Sequence, residues 1–400
     1  MSSAPELGSK MEGSDFYLDA AATTPPLPAV IAAMQQVQQT CWANPSSLHR
    51  PGLAAAEALE RARWRLADRF AVQPDQLIVT SGATESVHLA IQGCAARLKP
   101  GRIVISAVEH PAVIAAAMNL QASGWMVETW PVDAQGLIRL EELNRLLSPP
   151  TQLVSLIAAQ SEIGAVQPIR IVAQACRQRG IVMHTDATQL IPQGCCSFDA
   201  LGVDLLSVSA HKFQGPRGVG LLIRSRDTEL HPLQGGGGQE HGLRSGTEPV
   251  ALVTGMAEAL AVLPHYVPDE RICPPGSTPF IQQQRDALLA SLLKRPGVSA
   301  IGPDASQRLP HHISLLVTTA DGVPIPGREL VRRLAAAGVS CSSGSACSSG
   351  ASNDSPVLSA MQVLPSLRRS GIRLTLGPWL TTDDLKEVAR RFEATHATFS

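Results

Sequence analysis

Apolar positions return along this chain in two alternating rhythms. Residues 53–70, LAAAEALERARWRLADRF, set alanine, leucine and arginine at the three-to-four spacing of an amphipathic helix. Short continuous apolar runs then trade places with further helical stretches. LIVT (77–80) precedes a helix near 84–97, and RIVIS (102–106) precedes one at 111–120. WMVETW reads as another strand, and GLIRLEELNRLLS (136–148) contains a helix. LVSLIAA (153–159), IVMHTD (181–186), the run beginning at Leu205 and VGLLI (219–223) complete the strand set, with a helix at 168–179 between the first two. Helices are also expected at 28–39 and 249–263. Repeated strand–helix units of this length predict a mostly parallel sheet covered by helices, an α/β fold.

The rhythm breaks at 264–279, where Pro, Asp and Gly accumulate as in a linker. It restarts with a helix at 281–295, the strand HHISLLVT, a helix at 328–337, a cysteine-bearing loop, the strand IRLTL and a last helix at 382–393. A chain of 400 residues exceeds what one compact core usually holds, so a second, smaller α/β unit is expected.

Composition narrows the function without naming it. The chain is 44% hydrophobic and 17% charged with formal net charge -1, which gives no argument for a nucleic-acid or anionic-membrane partner. No apolar run approaches the roughly 18–20 residues of a membrane span. The opening MSSAPELGSKMEGSD lacks the pattern of a targeting peptide, and eight cysteines without a CxxC pair suit reduced thiols. A cytoplasmic protein with mostly reduced thiols and no metal site is the expectation.

In open α/β sheets, ligands bind at the carboxyl ends of strands. Four such ends carry chemistry here. Thr80-Ser81-Gly82-Ala83-Thr84-Glu85 offers hydroxyls and free N–H groups suited to a phosphate, and is not a Walker loop. Glu109-His110 offers a flat ring, Asp186-Ala187-Thr188-Gln189 a carboxylate, and Ser209-Ala210-His211-Lys212 an amine. Each alone is ordinary; a lone lysine at a strand end usually snorkels to water. Together they match what pyridoxal phosphate requires. That cofactor needs a lysine to bind its aldehyde, a carboxylate for its ring nitrogen, a stacking face and a hydroxyl-lined phosphate cup.

The wording of the motifs carries a resemblance from Tyr17 to about Phe392. YLDAAATTPP, NPSSLH, TSGATES, SEIGAVQPI, HTDATQ, SAHKFQGPRGVG, GGGGQEHGLRSGTEP, SSGSACSSG and IRLTLG resemble the class V aminotransferases, and specifically cysteine desulfurases of the NifS/IscS type. The resemblance implies a fold-type I pyridoxal-phosphate enzyme, with a large cofactor-binding domain at 20–268. A small domain would then be formed by 1–19 and 269–400. It implies that Lys212 carries the cofactor, Asp186 holds the ring nitrogen, His110 stacks and handles protons, and Gln189 lies near the ring hydroxyl. Ala83, Thr84, Ser209 and His211 match the phosphate cup, with Thr247 supplied by the other subunit of a homodimer. Arg373, assisted by Asn44, matches the substrate-carboxylate group, and Cys347 the nucleophile that takes sulfur from L-cysteine as a persulfide.

Three points depart from the family pattern: Ser161, the C-terminal end, and Val87-His88, which replaces the usual polar pair after TSGATES. Ser161 stands where an asparagine usually bonds the ring oxygen, so Ser161 is expected to bind the cofactor with shorter reach. Cys341 falls outside the SSGSAC motif and is expected to be structural. The sequence ends soon after Arg373, which puts in doubt docking of an iron–sulfur scaffold through a long C-terminal tail, and leaves the sulfur-acceptor protein open. The alternatives are a lyase of the same family acting on selenocysteine, cystine or cysteine sulfinate, and a non-catalytic sulfur-carrier platform.

Overall fold

A computed structural model of the chain describes residues 15–268, 274–344 and 354–399. Seven strands form the larger sheet: β1 (Leu77–Thr80), β2 (Arg102–Ser106), β3 (Met126–Trp130), β4 (Thr151–Ile157), β5 (Val182–Asp186), β6 (Leu205–Ser209) and β7 (Gly220–Arg224). Their order is β1-β7-β6-β5-β4-β2-β3. Only β7 runs against its neighbours, so the other six strands point the same way. The sheet is mostly parallel, and the VGLLI run supplies its one reversed strand.

Alternation along each strand feeds two different cores, because successive side chains leave opposite faces. Leu77 and Val79 join one apolar cluster while Ile78 joins the other; Val104 parts from Ile103 and Ile105 in the same way. Both faces are therefore covered, which is why these strands read as unbroken apolar runs. The stretch 136–148 departs from its expected helix. Val132 and Ile138 form an antiparallel bridge, and Asp133 Oδ1 accepts from the backbone N–H of Gln135 and Leu137. That hairpin uses up the front of the run, leaving a 3₁₀ turn at Leu140–Glu142 and a single helical turn at Leu143–Leu146.

The second sheet is antiparallel: β8 (Val298–Ala300), β9 (His312–Val317), β10 (Ser342–Ser343) and β11 (Gly371–Thr375), in the order β10-β11-β9-β8. Its apolar cluster takes in Leu18 together with residues from Ile281 to Phe392. Beyond Leu18 the chain leaves this sheet for the larger one. Asp19 bridges Thr375, and a few residues later Thr24 N–H donates to His211 O at 2.9 Å. The strap 19–24 thus joins the two sheets. Among the described residues no helix is long and apolar enough to cross a membrane.

Candidate active site

Register builds the first part of the site. Gly220 on β7 pairs with Thr80 of β1 on one side and Ser209 of β6 on the other. A Cβ on Gly220 would lie 2.6 Å from the backbone of Gly82 and 2.8 Å from Val208 O. The bare glycine lets the turn after β1 fold down across β7 toward Ser209, whose Oγ faces Gly82. The helix Ala83–His88 starts from this turn, so the N–H groups of Ala83 and Thr84 open from its first turn. The start of that helix at Ala83 and Thr84 and the hydroxyl of Ser209 thus lie on either side of Gly82, and N–H and O–H donors are chemistry that suits a phosphate. Nearby, His211 Nδ1 meets Thr23 Oγ1 at 3.1 Å, and burial with Lys212 and Arg217 beside it pushes the imidazole down to about 4. His211 is accordingly a neutral hydrogen-bonding group.

Asp186 closes β5 between Ile157 of β4 and Ser207 of β6. It is buried, and its Oδ1 accepts from Thr188 N–H at 3.0 Å. Two residues back, on the same face, His184 is bridged by Ser155 Oγ at Nδ1 and Ser207 Oγ at Nε2, both at 2.8 Å. Burial pushes this imidazole down to about 4, with Asp186 opposing. The Ser155–His184–Ser207 brace ties together three strands whose ends carry Ser161, Asp186 and Lys212. Sequence reading missed it, although the HTD triplet holds a period-2 polar pair inside an apolar strand.

His110 caps the helix Pro111–Asn119, its Nδ1 accepting from Ala112 N–H at 3.2 Å, which leaves Nε2 to carry the proton. Glu109 beside it is buried. Its Oε1 accepts from Ser106 N–H, Ser106 Oγ–H and Ile157 N–H, while Oε2 has no partner among the described residues. Burial pushes this carboxyl up to about 8, bonds to Ser106 and Ile157 oppose the rise, and Asp186 adds to it.

Lys212 ends the 3₁₀ turn after β6. Its Nζ donates to Ala21 O at 2.6 Å and Ala22 O at 2.8 Å, and Gln189 Nε2 donates to the same Ala21 O at 2.8 Å. The strap thereby brings Lys212 and Gln189 together. On its other side the strap meets Arg373, which points from β11. Nη2 of Arg373 pairs with Asp19 Oδ1 at 2.7 Å, and Nη1 donates to Ser161 O at 3.1 Å. His312 Nε2 bonds the same carbonyl at 3.0 Å. Ser161 thus meets Arg373 through its backbone. Next to it, Glu162 is buried with Oε1 unpartnered among the described residues and lies against Gly344. Burial pushes this carboxyl up to about 7, with Ser355 and Arg373 opposing.

Asn44 and Thr247 come together elsewhere, in a cleft of about 860 Å³ that Ile31 and Trp42 also line. Lys212 and Arg373 do not line that cleft, and Asn44 Oδ1 caps its own turn by accepting from Ser46 N–H at 2.9 Å. Cys341 is a buried free thiol, pushed up to about 12 by burial and then Asp19, with Arg373 opposing. Cys347 lies outside the described residues. No cluster of metal-ligating side chains occurs among the described residues.

A mostly parallel sheet with these strand ends, joined to a smaller antiparallel unit, is the α/β architecture of the fold-type I pyridoxal-phosphate enzymes. The chain belongs to the Aminotransferase class-V family, whose model matches residues 16–388. It is similar to "Cysteine desulfurase IscS" of Dictyoglomus turgidum, 38% identical over 93% of this chain and 92% of that protein. The human "Cysteine desulfurase" is 33% identical over 96% of this chain and 81% of its own length. Among solved structures, a "NIFS-LIKE PROTEIN" superposes with a TM-score of 0.85 at 30% identity, covering 96% of this chain and all of that one. "SspA in complex with cysteine" gives 0.76 at 30% identity, over 91% and 99%.

Proposed function

We propose that this protein is a pyridoxal-phosphate-dependent cysteine desulfurase that converts L-cysteine to L-alanine and takes the sulfur onto Cys347 for delivery to an acceptor protein. The observation that carries this reading is the convergence of His110, Asp186 and Lys212 at the carboxyl edge of one sheet while Arg373 reaches in from the other. The complex of the similar protein SspA with cysteine supports the same substrate.

The residues fit the cofactor. Ala83, Thr84, Ser209 and His211 would hold its phosphate, Asp186 its ring nitrogen, His110 its face, Gln189 and Ser161 its ring oxygen side, and Lys212 its aldehyde carbon. When bound, it supplies an electron sink for the pair released at the substrate Cα. Arg373 grips the substrate carboxylate with its planar guanidinium; Asn44, which lies in the separate cleft beside Thr247, would assist only from the partner of a dimer. Lys212 accepts the Cα proton, and His110, carrying its proton on Nε2, is placed to return one. The Cys347 thiolate donates a pair to the substrate sulfur; the C–S pair stays on Cβ and takes up a proton. One S–S bond replaces one C–S bond, and alanine leaves without any outside oxidant or reductant.

A homodimer is part of the proposal, with Thr247 completing the phosphate cup of the partner. Exposed Ile31 and Trp42 beside the cleft that holds Thr247 support it. The expected setting is the cytoplasm.

The test is product identity. The parent loaded with pyridoxal phosphate should form alanine from L-cysteine, and a brief cysteine pulse without reductant should add one sulfur atom to the Cys347 peptide. Cys347→Ala should stop alanine formation, and Lys212→Ala should lower turnover by about a thousandfold or more. Pyruvate as product, at an undiminished rate in Cys347→Ala, would make the protein a lyase of the same fold.

A further inference from the structure

Arg373 is almost wholly buried, yet it does not wait for substrate with an open charge. Its Nη2 is paired with Asp19 at 2.7 Å, and Asp19 itself retains only 17% side-chain exposure. We propose that Asp19 is the specificity-determining counter-ion of Arg373, admitting the carboxylate of an amino acid while rejecting simple anions. The inference rests on Arg373 being the substrate-carboxylate group.

The geometry leaves room for a ligand but not for surplus negative charge. A guanidinium has five N–H donors. One on Nη1 goes to Ser161 O and one on Nη2 goes to Asp19 Oδ1. Three donors remain, one on each of Nη1 and Nη2 and the buried Nε–H, which has no partner among the described residues, and a carboxylate can take two of them in two-pronged fashion. Electrostatically, however, the buried pair is already neutral. A bare anion turns it net negative where little water screens the repulsion. An amino acid brings its own ammonium group, so the filled site carries no extra charge.

Asp19 is also unable to swing aside. Oδ2 accepts from Ser342 Oγ at 2.8 Å, and its backbone O accepts from Tyr17 OH at 3.2 Å. Its main chain is fixed to Thr375, two residues beyond Arg373 on the same strand: Ala20 N–H donates to Thr375 O and Ala21 N–H to Thr375 Oγ1. The other groups near Arg373 are neutral histidines and carboxyls, and of the two guanidiniums that also face those histidines, Arg285 is paired with Asp286 and Arg308 lies in the field of Asp304 and Asp286. His311 is pushed down to about 3 and His312 well below its usual range, both by burial first. Tyr17 is pushed up to about 12 by burial and then Asp19, and Glu162 is the second carboxyl.

Acetate is the probe. In protein loaded with pyridoxal phosphate, Asp19→Asn keeps the size of the side chain and removes its charge. Acetate affinity, read from the shift in melting temperature, should rise by about tenfold or more over the parent. Acetate should also become a competitive inhibitor against L-cysteine. Equal acetate affinity in both proteins overturns the proposal and leaves the carboxylate role of Arg373 standing. Tighter acetate without competition shows that the anion and the substrate carboxylate sit apart, which overturns the reading of Arg373 and the proposal with it. Should Asp19→Asn fail to fold, Asp19→Ala supplies the answer: acetate should raise its melting temperature more than the parent's, and an equal rise overturns the proposal.

Discussion

Glu109 shows how one side chain can carry a pH dependence that nothing in its motif announces. It is held near 8 in the folded protein, against 4.5 for an ordinary glutamate, because burial disfavours its charged form. Between those values the folded chain keeps a proton that the unfolded chain releases. Stability from this group therefore falls as pH rises from about 4.5 to 8 and stays low above it. Gln at this position retains a carbonyl oxygen for the three donors from Ser106 and Ile157. Glu109→Gln should match the parent near pH 5 and exceed it by on the order of 2–4 kcal/mol near pH 8.5. Urea midpoints at the two pH values check this, and a difference that does not change with pH would show that Glu109 is ionised throughout. The EH pair marked His110 on the sequence. Burial of Glu109 depends on β2 and β4 lying side by side, which the pair does not encode.

At the scale of elements, β7 decides the shape of the turn proposed to hold the phosphate. Gly220 has Thr80 and Ser209 as its cross-strand neighbours, and its missing side chain is where the Gly82 turn rests. Gly220→Ala should push that turn outward, costing about 1–3 kcal/mol in stability through overpacking. Pyridoxal phosphate should also dialyse away faster from the variant than from the parent. Unchanged retention would separate the turn from cofactor binding. A second device anchors the glycine-rich segment before Thr247. Arg63 Nη1 bonds both oxygens of buried Glu240 at 2.8 Å, and Glu240 Oε2 also accepts from Val79 N–H at 2.9 Å. Glu240→Ala strands the buried Arg63 charge and should lower stability by about 3–5 kcal/mol in a melt or urea titration. Strand positions were legible as apolar runs because both faces of the sheet are covered. The expected helix in 136–148 was not, since its propensity lost to a hairpin closed by Asp133 and Gln167.

At the scale of the whole molecule, Asn44 and Thr247 lie apart from the cavity lined by Lys212 and Gln189, and the proposed homodimer would bring them to the partner's site. Trp42 is 69% exposed on that face. Sedimentation should give twice the 42.2 kDa chain mass. Trp42→Glu should shift the protein toward monomer and weaken cofactor retention together, because each cup would lose the partner's Thr247. Loss of the dimer with full retention would show that each chain completes its own cup.

The sequence alone settled the class of fold and the family and supplied the candidate chemistry, because apolar rhythm, strand-end residues and motif wording are all local. His110, Asp186, Ser209, Lys212 and Arg373 each stand out as candidates within their own motifs. Their mutual arrangement does not. Asp19 reads as one polar residue in YLDAAATTPP until a strap crossing between two sheets sets it on Arg373, 354 residues further along. The His184 brace and the need for glycine at 220 likewise arise only where strands distant in the chain lie side by side. Charge compensation and close backbone approach are properties of distance in space, and for these residues only the tertiary structure supplies that distance.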